Sequence, residues 1–89
     1  MTYAITYSRP VDDVFGEVER SDKNRTLNKL YEIAANEYRQ PRDFDFELIP
    51  QHEAAGRFRV GDSLRAFATV DDASEVIRVY EVCPRENLY

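Results

Sequence analysis

Three β-rich runs fill the last third of this 89-residue sequence: Arg57–Val60, Leu64–Val70 and Val76–Cys83. The segments between them, Gly61-Asp62-Ser63 and Asp71-Asp72-Ala73-Ser74, are too short for a crossover, so neighbouring runs must pair antiparallel. A meander of this kind leaves one apolar face in need of a second layer.

The first half can provide that layer. Residues 2–7 alternate, with Tyr3, Ile5 and Tyr7 on one face of a strand. Ser8 and Pro10 then read as a helix start, with Ser8 as cap and Asp12 and Asp13 complementing the dipole. Val11, Val14, Phe15 and Val18 form the stripe of a short helix that contains Gly16. A second helix, capped by Ser21 or Asp22, is predicted to run to about Arg39. Its buried stripe is Leu27, Leu30, Tyr31, Ala34 and Tyr38, and Pro41 stops it. Residues 40–55 hold Phe44, Phe46, Leu48 and Ile49 between Pro41 and Pro50, which reads as a connection with room for one short strand. The expected fold is α+β in two layers. Its order is β-α-α-β-β-β, with a mainly antiparallel sheet and two N-terminal helices packed on one face. No repeat, low-complexity tract or Gly/Ser linker divides the chain, so residues 1–89 are expected to form a single domain.

Composition narrows the function classes. A hydrophobic fraction of 43 % with six Tyr and five Phe is that of a globular chain. One cysteine, Cys83, excludes an internal disulfide framework and argues against a thiolate zinc site. One histidine, His52, argues against a histidine-built metal or nucleophile–base site. No cofactor or metal is expected. Without an apolar run of about 18 residues or a signal-peptide block, the chain is expected in the cytoplasm, away from membranes.

The net charge of −5 argues against bulk attraction to nucleic acid, but it is unevenly spread. Residues 1–55 carry −4, residues 56–70 carry +2, and residues 71–89 carry −3. Ten of the twelve basic residues are arginine, which beside so many carboxylates fits a salt-loving or GC-rich source.

The basic stretch coincides with the first hairpin. A three-residue loop that pairs Val60 with Leu64 sets Arg59 opposite Arg65 and Arg57 opposite Phe67. Arg57, Arg59, Arg65 and Phe67 then share one face, while Phe58, Val60, Leu64 and Ala66 point toward the helices. Directly opposed like charges destabilise a sheet unless an anion lies between them, and the guanidinium fork suits phosphate. An anion cradle and a solvated, salt-bridged face are both compatible with this pattern.

Taken together, Gly-Arg-Phe-Arg-Val-Gly-Asp-Ser-Leu-Arg-Ala-Phe (56–67), Val-Ile-Arg-Val-Tyr-Glu-Val (76–82) and Pro-Arg-Glu-Asn-Leu-Tyr (84–89) resemble the RelE/ParE toxin superfamily. The pattern there is roughly Tyr-Arg-x-Arg-x-Gly-x-Tyr-Arg, two strands, then Arg-x-x-x-Tyr. The resemblance implies the toxin of a type II toxin–antitoxin pair, with a small cognate antitoxin as partner. Arg85 followed by a terminal tyrosine favours the RelE branch, whose members are metal-free endoribonucleases acting on mRNA at the ribosome. In that chemistry the 2′-hydroxyl attacks the neighbouring phosphate and leaves a 2′,3′-cyclic phosphate. Carried over by position, Arg65 and Arg85 would stabilise the scissile phosphate and Tyr89 would orient or deprotonate the 2′-hydroxyl. Arg57 and Arg59 would grip the RNA backbone. Two features depart from the family pattern: the paired basic positions are often lysine there, and the family is usually basic. The alternatives are a ParE-like toxin that inhibits gyrase and a non-catalytic binding module with the same fold.

Among the remaining residues, His52 is expected to be solvated, Cys83 a small buried hydrophobe, and the acidic pairs 12–13 and 71–72 caps and turns. Phe67 and Tyr80 could serve either as core or on the arginine face.

Overall fold

Strand β1 (Ala4–Tyr7) runs parallel to the last strand, β5 (Val76–Pro84), with Ala4 beside Val76 and Tyr7 beside Val79. The structure, a computed structural model, describes residues 2–84. Helices α1 (Val11–Phe15) and α2 (Arg20–Ala35) follow, then a 3₁₀ turn at Pro41–Asp43. Strands β2 (Phe46–Leu48), β3 (Gly56–Val60), β4 (Leu64–Asp71) and β5 make consecutive antiparallel pairs. The sheet order is β1-β5-β4-β3-β2. The two-layer α+β arrangement expected above is therefore what forms. The strand permitted within residues 40–55 exists as β2 and closes the sheet on its second edge.

The helices cover one face. Val14 and Phe15 of α1 and Leu30, Ile33 and Ala34 of α2 pack on Phe58, Val60, Leu64, Ala66, Ile77, Val79 and Val82. Burial of these apolar side chains is the main stabilising contribution, at about 1.5–3 kcal/mol for each large one.

The helix boundaries differ from expectation for identifiable reasons. Ser8 does not cap α1: its amide donates to the Val79 carbonyl (2.9 Å) and prolongs the β1–β5 pairing, so Pro10 takes the cap position. Gly16 ends α1 rather than lying within it, at φ 56° and ψ −124°, a conformation open mainly to glycine. Glu19, not Ser21 or Asp22, precedes α2. The helix stops at Ala35 because the Asn36 side chain accepts the amides of Tyr38 (2.9 Å) and Arg39 (2.7 Å), well before Pro41. Tyr38 is thus outside the helix and 91 % exposed, and Tyr31 is 58 % exposed. The stripe facing the sheet is Thr26, Leu30, Ile33 and Ala34, with Leu30 about 100° round the helix from Tyr31. Thr26 is buried without cost to hydrogen bonding, since its hydroxyl donates to the Asp22 carbonyl at 2.8 Å.

Gly56 is needed for close packing rather than for its dihedrals. A Cβ there would run into the tip of the Phe46 ring, with Phe46 Cε1 at 2.9 Å and the Ala68 carbonyl oxygen at 3.2 Å. Gly56→Ala is expected to cost about 1–3 kcal/mol by overpacking, read as a lower urea midpoint with an unchanged m-value.

A polar clip joins three distant segments. The Tyr3 hydroxyl donates to Asp72 Oδ1 (2.9 Å), with the Gln40 side-chain oxygen also in reach (3.1 Å). Arg42 binds the other Asp72 oxygen and donates to the Val70 carbonyl (2.8 Å). Burial and then the adjacent Asp72 push the Tyr3 phenol above its ordinary range, and burial does the same for Tyr7. The hydrogen bond from Tyr3, followed by that from Arg42, holds the Asp72 carboxyl below the usual carboxylate range. The signs define the pH window. The Asp72 contribution is complete above its unfolded pKa and is lost as pH falls through the lower folded one. The tyrosine contribution is complete below about pH 10 and is lost as pH rises through the raised folded values. Tyr3→Phe should therefore lower the urea midpoint at pH 7 and flatten both the acid and the alkaline limbs of its pH profile.

Candidate functional site

The sheet face turned away from the helices carries the arginines. The β3–β4 hairpin turns at Gly61 (φ 62°) and pairs Val60 with Leu64, Arg59 with Arg65, Phe58 with Ala66 and Arg57 with Phe67. This is the register expected from the sequence, and it puts Arg57, Arg59, Arg65 and Phe67 on one face. Arg25 of α2 steadies the hairpin by donating to Ser63 Oγ at 2.8 Å.

The three guanidiniums occupy different surroundings. Arg57 lies across the β2–β3 pair from Glu47, and its Nε donates to Glu47 Oε1 at 2.5 Å. Arg65 is only 3 % exposed, and its Nη1 donates to the Leu64 carbonyl at 2.8 Å. Arg59 is exposed and borders a shallow depression with Asp45, Phe46 and Glu47. The salt-bridged face expected as one alternative is present at Arg57. Arg57 belongs to a cross-strand ion pair, while Arg59 stands at the surface beside the buried Arg65.

Residues 49–55 pack onto the same face. Turns closed by the His52 amide on the Ile49 carbonyl (3.0 Å) and by the Ala55 amide on the His52 carbonyl (2.9 Å) compact this loop. Ala54, Phe67 and Cys83 form a small second core beneath it, flanked by Ile49 and Tyr80. His52 corrects the expectation of a solvated side chain. Its ring stacks on Phe67 (centroids 4.0 Å apart, 14° between planes), and its side chain is 7 % exposed. The Ala54 amide donates to Nδ1 (2.9 Å), which leaves the ring proton on Nε2 to be donated to Glu81 Oε2 (3.1 Å). Phe67 is completely buried, which excludes it as an open stacking platform, and Cys83 is buried as expected.

A register shift after Phe67 sets that residue opposite Glu81 and Ala68 opposite Val79, leaving Tyr80 as the extra residue of a bulge. The bulge turns Tyr80 and Glu81 toward the same side. They floor a cleft of about 400 Å³ walled by Arg9 on one side and Gln51, His52 and Glu53 on the other. Arg9 donates to the Tyr80 carbonyl (3.0 Å), and the Arg78 guanidinium lies 5.9 Å from the Tyr80 ring centre.

Sequence reasoning missed Glu47, His52 and the Arg9–Arg78–Tyr80 group. The alternation Phe46-Glu47-Leu48 spans only three residues, too few to mark Glu47 by itself. Nothing local marks the other two, which depend on how the loop folds back and on where the bulge falls. Arg85 and Tyr89, the other two carried-over site residues, lie outside the described residues. Among the described residues no cluster of metal-ligating side chains occurs, and no helix is long and apolar enough to cross a membrane.

No protein-family model and no curated protein matches the sequence. Among solved structures, the chain is similar to one in the crystal structure of the archaeal RelE–RelB complex from Pyrococcus horikoshii OT3. The TM-score is 0.67 at 22 % identity, covering 99 % of this chain and 100 % of that one. At that identity the likeness is one of fold alone.

Proposed function

We propose that this chain is the toxin of a toxin–antitoxin pair and cuts mRNA at the ribosome without a metal. The observation that carries the reading is the common placement of Arg57, Arg59 and Arg65 on the helix-free face of a RelE-like sheet. In the proposed chemistry the 2′-hydroxyl attacks the adjacent phosphorus, the P–O5′ bond breaks, and a 2′,3′-cyclic phosphate and a 5′-hydroxyl result. Arg65 and Arg85 stabilise the charge that develops on the phosphorane oxygens. Tyr89 orients or deprotonates the attacking hydroxyl, Arg57 and Arg59 hold the flanking backbone, and all of this takes place in the cytoplasm. The partner is a small antitoxin, by analogy with the RelE–RelB complex.

A second reading, a non-catalytic module on the same fold, is favoured by the Glu47–Arg57 ion pair and by the burial of Arg65. The deciding experiment is induced expression with mapping of mRNA 5′ ends, comparing wild type with Arg65→Ala and Tyr89→Phe. Codon-phased cuts lost in both variants support the nuclease. Growth arrest without such cuts sinks it in favour of a gyrase-directed toxin, tested by a supercoiling assay. Growth without arrest, at an internal salt suited to the protein, leaves the non-catalytic module.

A further inference from the structure

We propose that the cleft floored by Tyr80 and Glu81 holds one nucleobase of single-stranded RNA and selects amino-bearing bases over uracil. The proposal rests on the RNA reading above and assigns that face a specificity subsite. The cleft opens on the same sheet face as the arginines, and its volume of about 400 Å³ suits a single base. Its lining is mixed in a way that fits a base rather than a phosphate. Glu53 and Glu81 would repel an anion inside the cleft, but their oxygens accept hydrogen bonds from ring or exocyclic N–H groups. Glu81 is held in place by the His52 Nε2–H bond, and His52 is in turn fixed by the Ala54 amide and by its stack on Phe67. Adenine, cytosine and guanine each present an amino group on the Watson–Crick edge. Uracil presents one N–H between two carbonyl oxygens, which would face the carboxylates.

The rim has the opposite character. Arg78 lies beside the Tyr80 ring and Arg9 is bonded to the Tyr80 carbonyl, so the rim sets an aromatic surface near two guanidiniums, the groups that single-stranded nucleic acids use for stacking and phosphate contact. A strand with its base in the cleft would therefore meet positive charge at its backbone and acceptors at its base edge.

The test is an NMR titration of the full-length chain, without ribosome or antitoxin, with the four nucleoside 5′-monophosphates and with RNA pentamers differing only in the central base. AMP, CMP and GMP are expected to shift the amides of 51–53 and 80–81 and to bind roughly tenfold tighter than UMP, as expected for one charge-assisted hydrogen bond. The pentamers should bind more tightly than the monophosphates, with the same preference, if Arg9 and Arg78 meet flanking phosphates. Glu53→Gln combined with Glu81→Gln should abolish the preference against uracil while keeping the fold, because the amide oxygen introduced by Glu81→Gln still accepts from His52. Tyr80→Ala should weaken all four bases. Equal binding of UMP, no shifts at 51–53 and 80–81, or an undiminished preference in the double glutamine variant overturns the subsite. None of these readouts involves cleavage. A wild type that fails to cut mRNA ends the nuclease reading, whereas failed base selection with intact cleavage ends only this inference.

Discussion

Replacing Phe58 by alanine is expected to lower Tm by roughly 15–30 °C and to leave much of the population unfolded near body temperature. Phe58 is fully buried on β3, packs against the Phe46 ring at 4.9 Å, and belongs to the core between helices and sheet. Phe→Ala in such a site costs about 3–5 kcal/mol through lost transfer energy and the cavity left behind. At about 0.05–0.15 kcal/mol per residue, a chain of this length holds roughly 4–13 kcal/mol in all. One ring therefore accounts for a large share of the margin. Phe58→Leu should recover most of the loss, since only shape and a few atoms change. Thermal melts followed by far-UV circular dichroism decide the matter. A loss below about 1 kcal/mol in Phe58→Ala would show that the core is not closed over β3 as described.

Phe67, two positions along β4 from Arg65, shows where local pattern stops being informative. Alternation placed it correctly on the arginine face, and the three-residue loop at 61–63 placed it correctly opposite Arg57. Both inferences use only the two-residue period of a strand and the geometry of a short turn, which neighbouring residues determine. That Phe67 lies beneath His52 was not legible. The loop from 49 to 55 could have pointed into solvent; the apolar contacts of Ala54 and Ile49 with Phe67 and Cys83, the His52 stack on Phe67 and its bond to Glu81 draw it back. The helices show the same division. The apolar spacing of α2 identified Leu30 and Ala34. The helix end escaped because a single Asn36 side chain competes for the following amides, a contest between hydrogen bonds that periodicity does not register. The arginine face was thus legible as a pattern. Its electrostatic state was not, because the ion pair on Arg57 comes from a strand whose alternation spans only three residues.

If the chain cuts mRNA as proposed, Arg65→Ala is expected to slow cleavage by about 10²–10³-fold, the range for removing one preorganised donor to a developing oxyanion. Because Arg65 is buried and bonded to the Leu64 carbonyl, loss of rate could come from loss of fold. Arg65→Lys separates the two. Lysine keeps the charge and the aliphatic stem but lacks the planar fork, so its melting curve should stay near wild type while its rate falls between those of arginine and alanine. Arg59 is exposed and should behave as a backbone contact. Arg59→Ala is expected to weaken RNA binding about equally for all sequences and to reduce its salt dependence. For single strands each neutralised phosphate contributes about 0.7 to the slope of log K against log salt, so the three hairpin arginines together contribute a magnitude of about 2, of which Arg59→Ala removes about 0.7. Between 50 and 200 mM salt, that slope amounts to a loss of roughly 15-fold in affinity. A chain with net charge −5 has no general attraction to add to these local contacts, so the slope should be no steeper than the arginine face allows. A flat salt dependence would mean that the arginines are saturated by Glu47 and other carboxylates, and the RNA reading would fall. A slope of about 2 or more that drops by about 0.7 with Arg59→Ala, together with a rate lost in Arg65→Ala and partly kept in Arg65→Lys, is the outcome expected if the hairpin receives phosphate.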